Sequence, residues 1–145
     1  MKKIAAAALA LVAVLVVVAA ASGSASTAYT AKLTAGQEVP KAKGVPANAS
    51  GTFTATLTGS TLKWKLVYAH LSGKPFAGHI HLGKKGVAGN VLVPLCSSTS
   101  NCKSPIHGTA KLNATTLAAL KAGHTYVNLH TNKNQAGEIR GQIVK

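Results

Sequence analysis

The chain has 145 residues and a formal net charge of +14, because sixteen lysines and arginines face only two acids, Glu38 and Glu138. With no aspartate to orient a base and nothing that opposes the two glutamates across a cleft, the composition argues against nucleophilic hydrolases and glycosidases. Arg140 is the only arginine and no aromatic stripe accompanies the lysines, so a basic exterior that attracts polyanions is favoured over sequence-specific nucleic-acid recognition.

Residues 1–28 are predicted to be a secretory signal peptide. Lys2 and Lys3 precede an apolar run over 4–21, and small and polar residues follow it. The alternative is an uncleaved membrane anchor, but the run is near the lower limit of about 17 residues for a span and is rich in alanine. Cleavage is therefore favoured, and it predicts a secreted, periplasmic or cell-surface protein of a bacterium, attached to a membrane only if the signal is uncleaved. Three positions fit the cut: after Ala21, after Ala25 and after Ala28.

Residues 29–145 are enough for one domain with one core, and their pattern predicts an all-β fold. Residues 51–58 alternate strictly between apolar and threonine side chains, and 62–68 alternate again after the Gly59-Ser60 turn, which is a strong hairpin signal. The expected architecture is a Greek-key β-sandwich or barrel of about seven or eight strands. The other strands are predicted over 29–34, 77–82, 91–95, 108–112, 125–130 and 138–144.

Two short features are predicted between the strands. A two-turn connecting helix covers 115–122, with Asn113 or Thr115 as its N-cap and Gly123 placed to end it. Cys96 and Cys102 are an even pair in an exported chain, so they predict a disulfide that closes a short polar loop. A metal role for these two residues is less favoured, because free thiolates are lost to disulfides in an oxidising compartment.

Three of the predicted strands share one pattern, with an apolar face that can be buried and a polar face whose side chains can bind a metal or form hydrogen bonds. Because side chains alternate along a strand, residues two positions apart lie on the same side of the sheet. The residues on the polar faces are His79 and His81 in the first of these strands, Asn128 and His130 in the second, and Glu138 and Arg140 in the third.

The polar faces support two interpretations. In the first, His79, His81 and His130 bind one copper or zinc ion, since imidazole suits both metals. Glu138 is then predicted to meet His130 across the last hairpin and to accept an imidazole N–H, which would orient the ring. In the second, Asn128, Glu138 and Arg140 hydrogen-bond with the histidines as a structural cluster, with Glu138 and Arg140 as an ion pair.

The remaining histidines are weaker candidates for metal ligands. His107 is a fourth candidate, although Pro105 and Gly108 beside it fit a turn equally well. His70 and His124 are expected near strand ends, and both are predicted to be surface residues.

Five segments in this order give the chain a resemblance to the CHRD (chordin) domain. They are Leu33–Pro40 (LTAGQEVP), Gly51-Thr52, His79-Ile80-His81, Tyr126–Thr131 (YVNLHT) and Gly137–Gln142 (GEIRGQ). The resemblance covers about Tyr29 to Val144 and implies an extracellular β domain. In animals such domains occur in chordin, which antagonises bone morphogenetic proteins. The cysteine-rich repeats of chordin are missing from this chain, so a growth-factor role is not implied.

A second likeness concerns the histidines alone. In copper/zinc superoxide dismutase, an exported β-barrel, a His-x-His pair, a later histidine and an arginine on a final strand are arranged at the copper site. The counterparts here would be His79, His81, His130 and Arg140. Two departures weaken this likeness, since the chain has no aspartate for a structural zinc and no second histidine-rich loop.

Two functional hypotheses follow. The preferred one is a non-enzymatic extracytoplasmic binding or structural module that requires no cofactor, whose basic surface meets anionic envelope polymers or lipid headgroups. The alternative is a histidine-based copper or zinc protein, with redox activity as in the dismutase. Whether His79, His81 and His130 converge within ligand distance separates the two.

Overall fold

The computed structural model describes residues 24–145. The apolar run of the predicted signal peptide lies outside these residues, so the signal stays a prediction. The first described strand begins at Ser26, so a cut after Ala25 leaves this strand whole and a cut after Ala28 shortens it. In the described part of the chain, no helix has the length and apolar character that a membrane span requires.

The described residues form eight strands, a 3-10 turn at Ala35–Gln37 and one α-helix, which confirms the predicted all-β class. Most strand boundaries fall within about three residues of those predicted, as is usual for predictions from a single sequence. The strands are β1 Ser26–Thr34, β2 Ser50–Thr58, β3 Thr61–Ala69, β4 Pro75–Leu82, β5 Val91–Cys96, β6 Ile106–Lys111, β7 Thr125–Thr131 and β8 Ile139–Gln142, with α1 at Ala114–Lys121.

All eight strands belong to one antiparallel sheet with the order β5-β4-β7-β8-β1-β2-β3-β6. The edge strands β5 and β6 contact each other, so the sheet curls into a nearly closed barrel. Of the two predicted architectures the barrel is therefore the observed one. Closure of this kind shields edge strands that would otherwise pair with other chains.

The barrel interior is filled by the apolar half of each alternating strand. Phe53, Leu62, Leu66 and Leu129 are all fully buried there, and each such side chain stabilises the fold by about 1.5–3 kcal/mol. The threonines and lysines that alternate with them along β2 and β3 face outward. Strict alternation therefore decides which face of each strand is buried, because a slip of one residue would expose the whole apolar set.

The predicted connectors are also present. The side chain of Asn113 accepts a hydrogen bond from Thr116 N at 2.8 Å, so Asn113 is the N-cap of α1. Gly123 follows the helix with a φ of 71°, a left-handed conformation that favours glycine. The disulfide between Cys96 and Cys102 is formed, with the two Cα atoms 5.2 Å apart.

The polar faces of β4, β7 and β8 lie side by side on the outside of the barrel. Cross-strand partners share a face, and the register pairs His79 with Asn128 and Asn128 with Arg140. Although this face is outside the barrel, Asn128 and Arg140 are buried, because loops fold back over it. The loop residues that contact this face are Glu38 and members of the loops over 83–90 and 132–137.

Candidate metal centre

Three histidines converge on the outer face of β4 and β7. His79 and His81 are two residues apart on β4, and His130 of β7 is opposite Ala77, one step away on the same face. One ring nitrogen from each histidine lies within 4.8 Å of the other two. The closest pair is His79 Nδ1 and His130 Nε2, at 3.2 Å. The structure therefore brings together the three histidines that the sequence proposed as ligands.

Backbone carbonyls fix the orientation of two of these rings. His81 Nδ1 lies 3.0 Å from Gly89 O, and His130 Nδ1 lies 3.0 Å from Gln135 O. A carbonyl oxygen only accepts, so each neutral ring carries its hydrogen on Nδ1 and its lone pair on Nε2. In His130 this Nε2 accepts a hydrogen bond from His79 Nδ1 at 3.2 Å. This arrangement is typical of metal-binding histidines, whose second nitrogen donates to a carbonyl or carboxylate. The Nε2 of His81 is buried and has no hydrogen-bond partner in the structure.

The environment keeps the three rings neutral at pH 7. Burial, followed by the neighbouring His130 and His81, lowers the pKa of His79 to about 4. Burial also lowers the pKa of His81, with a smaller contribution from the positive Arg140, and outweighs the hydrogen bond to Gly89. The pKa of His130 is lowered mainly by burial as well. Neutral imidazoles with free lone pairs are the form that binds a metal ion.

The spacing is close to that of a metal site. Nitrogens that bind one zinc ion tetrahedrally at about 2.0–2.1 Å lie about 3.3 Å from each other. The His79–His130 pair already has this separation, at 3.2 Å. The third nitrogen, within 4.8 Å of the others, needs a shift of about 1.5 Å to join them.

Tyr126 completes the group and was not anticipated from the sequence. Its ring stacks on His81 with centroids 5.0 Å apart and an interplanar angle of 8°. Its hydroxyl accepts a hydrogen bond from Gly89 N at 3.1 Å, next to the carbonyl that holds His81. The available signal was the strand period, because Tyr126 is two residues before Asn128 and shares its face.

Arg140 lies on the far side of Tyr126 from the histidines. Its guanidinium carbon is 3.5 Å from the centre of the Tyr126 ring, and β7 separates β8 from β4 in the sheet. Its Nη2 donates to the carbonyls of Lys84 and Val87, at 3.0 and 2.8 Å. Arg140 thus anchors the 83–90 loop. The ring of Tyr126 lies between Arg140 and the histidines, so Arg140 is not directly beside the histidines as the likeness to the dismutase predicted.

Glu138 does not have the role predicted for it beside His130. Its carboxylate accepts hydrogen bonds from Ser72 N at 2.5 Å, from Ser72 Oγ at 2.6 Å and from Thr131 Oγ1. The imidazole N–H of His130 goes to Gln135 O instead. The predicted ion pair between Glu138 and Arg140 is not seen in the described residues, because the hydrogen bonds of Arg140 go to loop carbonyls. Glu138 therefore fastens the 70–74 loop to the β7–β8 hairpin.

Glu38 is the acid that approaches this cluster, which the sequence did not indicate. It is 1 % exposed, and Asn128 Nδ2 donates to its Oε2 at 3.3 Å. Burial raises the pKa of Glu38 to about 8, against the opposing influence of Arg140. Gly137, with a φ of 136°, makes room for this contact, since a Cβ there would be 2.7 Å from Glu38 Oε2.

The other histidines lie apart from the metal-ligand candidates. His107 is on β6 opposite Lys65, so the predicted turn is a strand and the residue is exposed. His70 is exposed, with a φ of 59°. His124 is half-buried at the end of the α1–β7 connection, where its carbonyl accepts from Gly83 N.

Comparison with known proteins identifies one family. The model of the CHRD domain matches residues 29–143, which is nearly all of the described chain. The searches of curated proteins and of solved structures found no match. The family match covers all eight strands except the first residues of β1, and it includes His79, His81 and His130.

Proposed function

The chain belongs to the CHRD domain family, and on that premise we propose that it is an exported, non-enzymatic module that binds a copper or zinc ion through His79, His81 and His130. The observation that carries the proposal is the convergence of three ring nitrogens within 4.8 Å on one face. The rings are neutral, and two are oriented by carbonyls so that the lone pair lies on Nε2. A structural cluster would not need a buried Nε2 without a partner, whereas a metal ion satisfies it.

The donor set favours copper or zinc over other ions. All three donors are imidazole nitrogens, which suit zinc and copper better than the oxygen-seeking magnesium and calcium. The two cysteines are joined in the disulfide and offer no thiolate. Three ligands leave at least one position for water or for a group from solvent.

Metal analysis of the purified protein after dialysis against copper or zinc tests this proposal. The native protein is expected to retain one equivalent. His81→Ala is expected to weaken binding at least 100-fold, because it removes a ligand from a set of three. His107→Ala is the matched control, since it removes an exposed histidine on β6 and leaves the site intact. Retention of the metal by His81→Ala, or its absence from the native protein, would contradict the proposal.

A second candidate function rests on the basic surface. Both acidic side chains are buried, so no acidic side chain is exposed in residues 24–145. An open groove of about 630 Å³ runs over the outer face of β1, β2 and β3, with Lys63, Lys65, His107 and Lys145 along its sides. Its lining also includes Thr54 and Thr56, which offer hydroxyl groups. We propose that anionic envelope polymers or lipid headgroups bind there.

Binding to dextran sulfate and to phosphatidylglycerol vesicles at several salt concentrations tests the groove. The Lys63→Ala/Lys65→Ala double variant is expected to bind about five- to thirtyfold more weakly, because each lysine–anion contact is worth about 0.5–1 kcal/mol. Lys103→Ala/Lys121→Ala removes the same charge elsewhere and should bind like the native protein. Equal weakening of both pairs would mean that net charge alone attracts the polymer and that the groove has no special role.

A further inference from the structure

A cavity with charged and polar residues in its lining lies next to the metal-ligand candidates, on the other side of Tyr126. We define the Arg140 chamber as the cavity of about 180 Å³ whose lining includes Glu38, Lys41, Lys85, Arg140 and Gln142. Its volume is far above the about 10–15 Å³ that one water molecule requires. The chamber is distinct from the groove on β1, β2 and β3.

Three side-chain atoms of the chamber residues lack hydrogen bonds. Arg140 Nη1, Glu38 Oε1 and Gln142 Oε1 are enclosed atoms without a partner, each with less than 1 Å² of accessible surface, so the side chains around the cavity must shift for a ligand to reach them. The amide of Gln142 is correctly oriented, because its Nε2 donates to Gly83 O and Gly123 O, both at 2.9 Å. Unpaired polar atoms in such positions are costly, so a molecule that satisfies them gains affinity.

The charge of the chamber is positive. Arg140 is 2 % exposed, and its other terminal nitrogen is held by two carbonyls that carry no charge. Lys41 and Lys85 add two exposed ammonium groups at the mouth. Lys41 Nζ donates to Gly36 O at 2.5 Å, which leaves its other N–H bonds free. A buried guanidinium without a carboxylate partner is unfavourable unless an anion accompanies it.

We propose that the Arg140 chamber binds a phosphate group. Phosphate satisfies all three unpaired atoms, because its oxygens accept from Arg140 Nη1 and from the neutral Glu38 carboxyl, and its protonated oxygen donates to Gln142 Oε1. Sulfate accepts but cannot donate at neutral pH, so it leaves Gln142 unpaired. A carboxylate is a poorer match, since in its ionised form it has no O–H to donate to Gln142 Oε1.

Glu38 has a defined part in this binding. In its neutral form it offers an O–H to the phosphate, and in its ionised form it repels it. The pKa of Glu38 is raised to about 8, so the neutral form is present at pH 7. The charged and titratable groups around it are Arg140, Glu138, Lys41 and Lys85. Binding of phosphate is therefore expected to weaken above about pH 8 in the native protein.

Calorimetric titration of the metal-free, full-length protein with inorganic phosphate at constant ionic strength tests the proposal. Saturable binding of one equivalent is expected, with Lys85→Ala about fivefold weaker and sulfate at least about tenfold weaker, because it loses one buried hydrogen bond. Lys121→Ala removes an exposed lysine at the end of α1 and is the matched control. Glycerol phosphate distinguishes the two possible ligands, a phosphate ester and the free phosphate ion. Binding as tight as that of inorganic phosphate indicates that the ligand is a phosphate ester, and weaker binding indicates the free ion.

Glu38→Gln gives a second, independent readout. Glutamine stays neutral and keeps a donor, so phosphate binding at pH 6 should change less than about twofold and the weakening above pH 8 should disappear. Phosphate itself also changes charge with pH, but it does so equally in the titrations of the native protein and of Glu38→Gln. The difference between the two pH profiles therefore reports Glu38 alone. The proposal is overturned if the native protein shows no saturation, if sulfate binds as tightly, or if Lys121→Ala weakens binding as much as Lys85→Ala. Because no metal is present, the result does not depend on the histidine site.

Discussion

Glu138→Ala is expected to lower the free energy of unfolding by about 3–5 kcal/mol, because a buried hub of hydrogen bonds is lost. Glu138 is fully buried and accepts from Ser72 N, Ser72 Oγ and Thr131 Oγ1. Alanine leaves these donors without an acceptor in a place that water does not reach. Urea unfolding at pH 7, followed by tryptophan fluorescence of Trp64, measures the change.

The same carboxylate predicts a pH dependence with a definite sign. Burial raises the pKa of Glu138, but hydrogen bonds from Ser72, Thr131 and Asn134 outweigh it and hold the pKa below its usual range. An acid with a lowered pKa in the folded state stabilises the fold fully above its unfolded pKa of about 4.3. This stabilisation is lost as the pH falls through the folded pKa. The native protein is therefore expected to lose stability below about pH 5, and Glu138→Gln to lack that part of the loss.

Glu38 is the matched control, because its pKa is shifted in the opposite direction. Its pKa is raised to about 8 by burial, so its contribution is most favourable below about pH 4.3 and is lost as the pH rises towards 8. Glu38→Gln is therefore expected to be neutral or stabilising at pH 8. A loss below 1 kcal/mol in Glu138→Ala, or an unchanged acid slope in Glu138→Gln, would contradict the assignment of Glu138 as a structural hub.

The strands and the histidine face followed from the sequence because both depend on local periodicity. Alternation in β2 and β3 has one physical solution, with Phe53 and Leu62 inside and the threonines outside. The same period placed His79 and His81 together. Strand pairing then had only to bring β7 beside β4 for His130 to join them, which is the observed order.

The partners of the histidines did not follow from the sequence, because they are backbone atoms of loops. Gly89 O and Gln135 O orient the rings, and a carbonyl leaves no signature in the residue type that carries it. The sequence predicts a carboxylate partner for His130, and Glu138 is the acid nearest to it along the chain. The acid on this face is instead Glu38, which accepts a hydrogen bond from Asn128 although the two are 90 residues apart. Long-range loop contacts depend on the path of the chain rather than on local patterns.

Gly89→Ala is expected to weaken zinc binding about 10- to 100-fold without removing a ligand, as is typical when the group that orients a metal-binding histidine is displaced. A Cβ at position 89 would lie 1.8 Å from Leu82 O, so the backbone of the loop must move. That movement shifts Gly89 O away from His81 Nδ1 and Gly89 N away from the Tyr126 hydroxyl. The dissociation constant, from competition with a chromophoric chelator, is the quantity to measure.

Gly73→Ala is the control for this substitution, because a Cβ there meets nothing within 4 Å. It should bind zinc like the native protein, which separates the displacement of one carbonyl from the general cost of replacing a loop glycine. If Gly89→Ala binds zinc as tightly as Gly73→Ala, the carbonyl does not position His81. The ring would then be held by the Tyr126 stack alone, and its Nε2 would owe its direction to the strand rather than to the 83–90 loop.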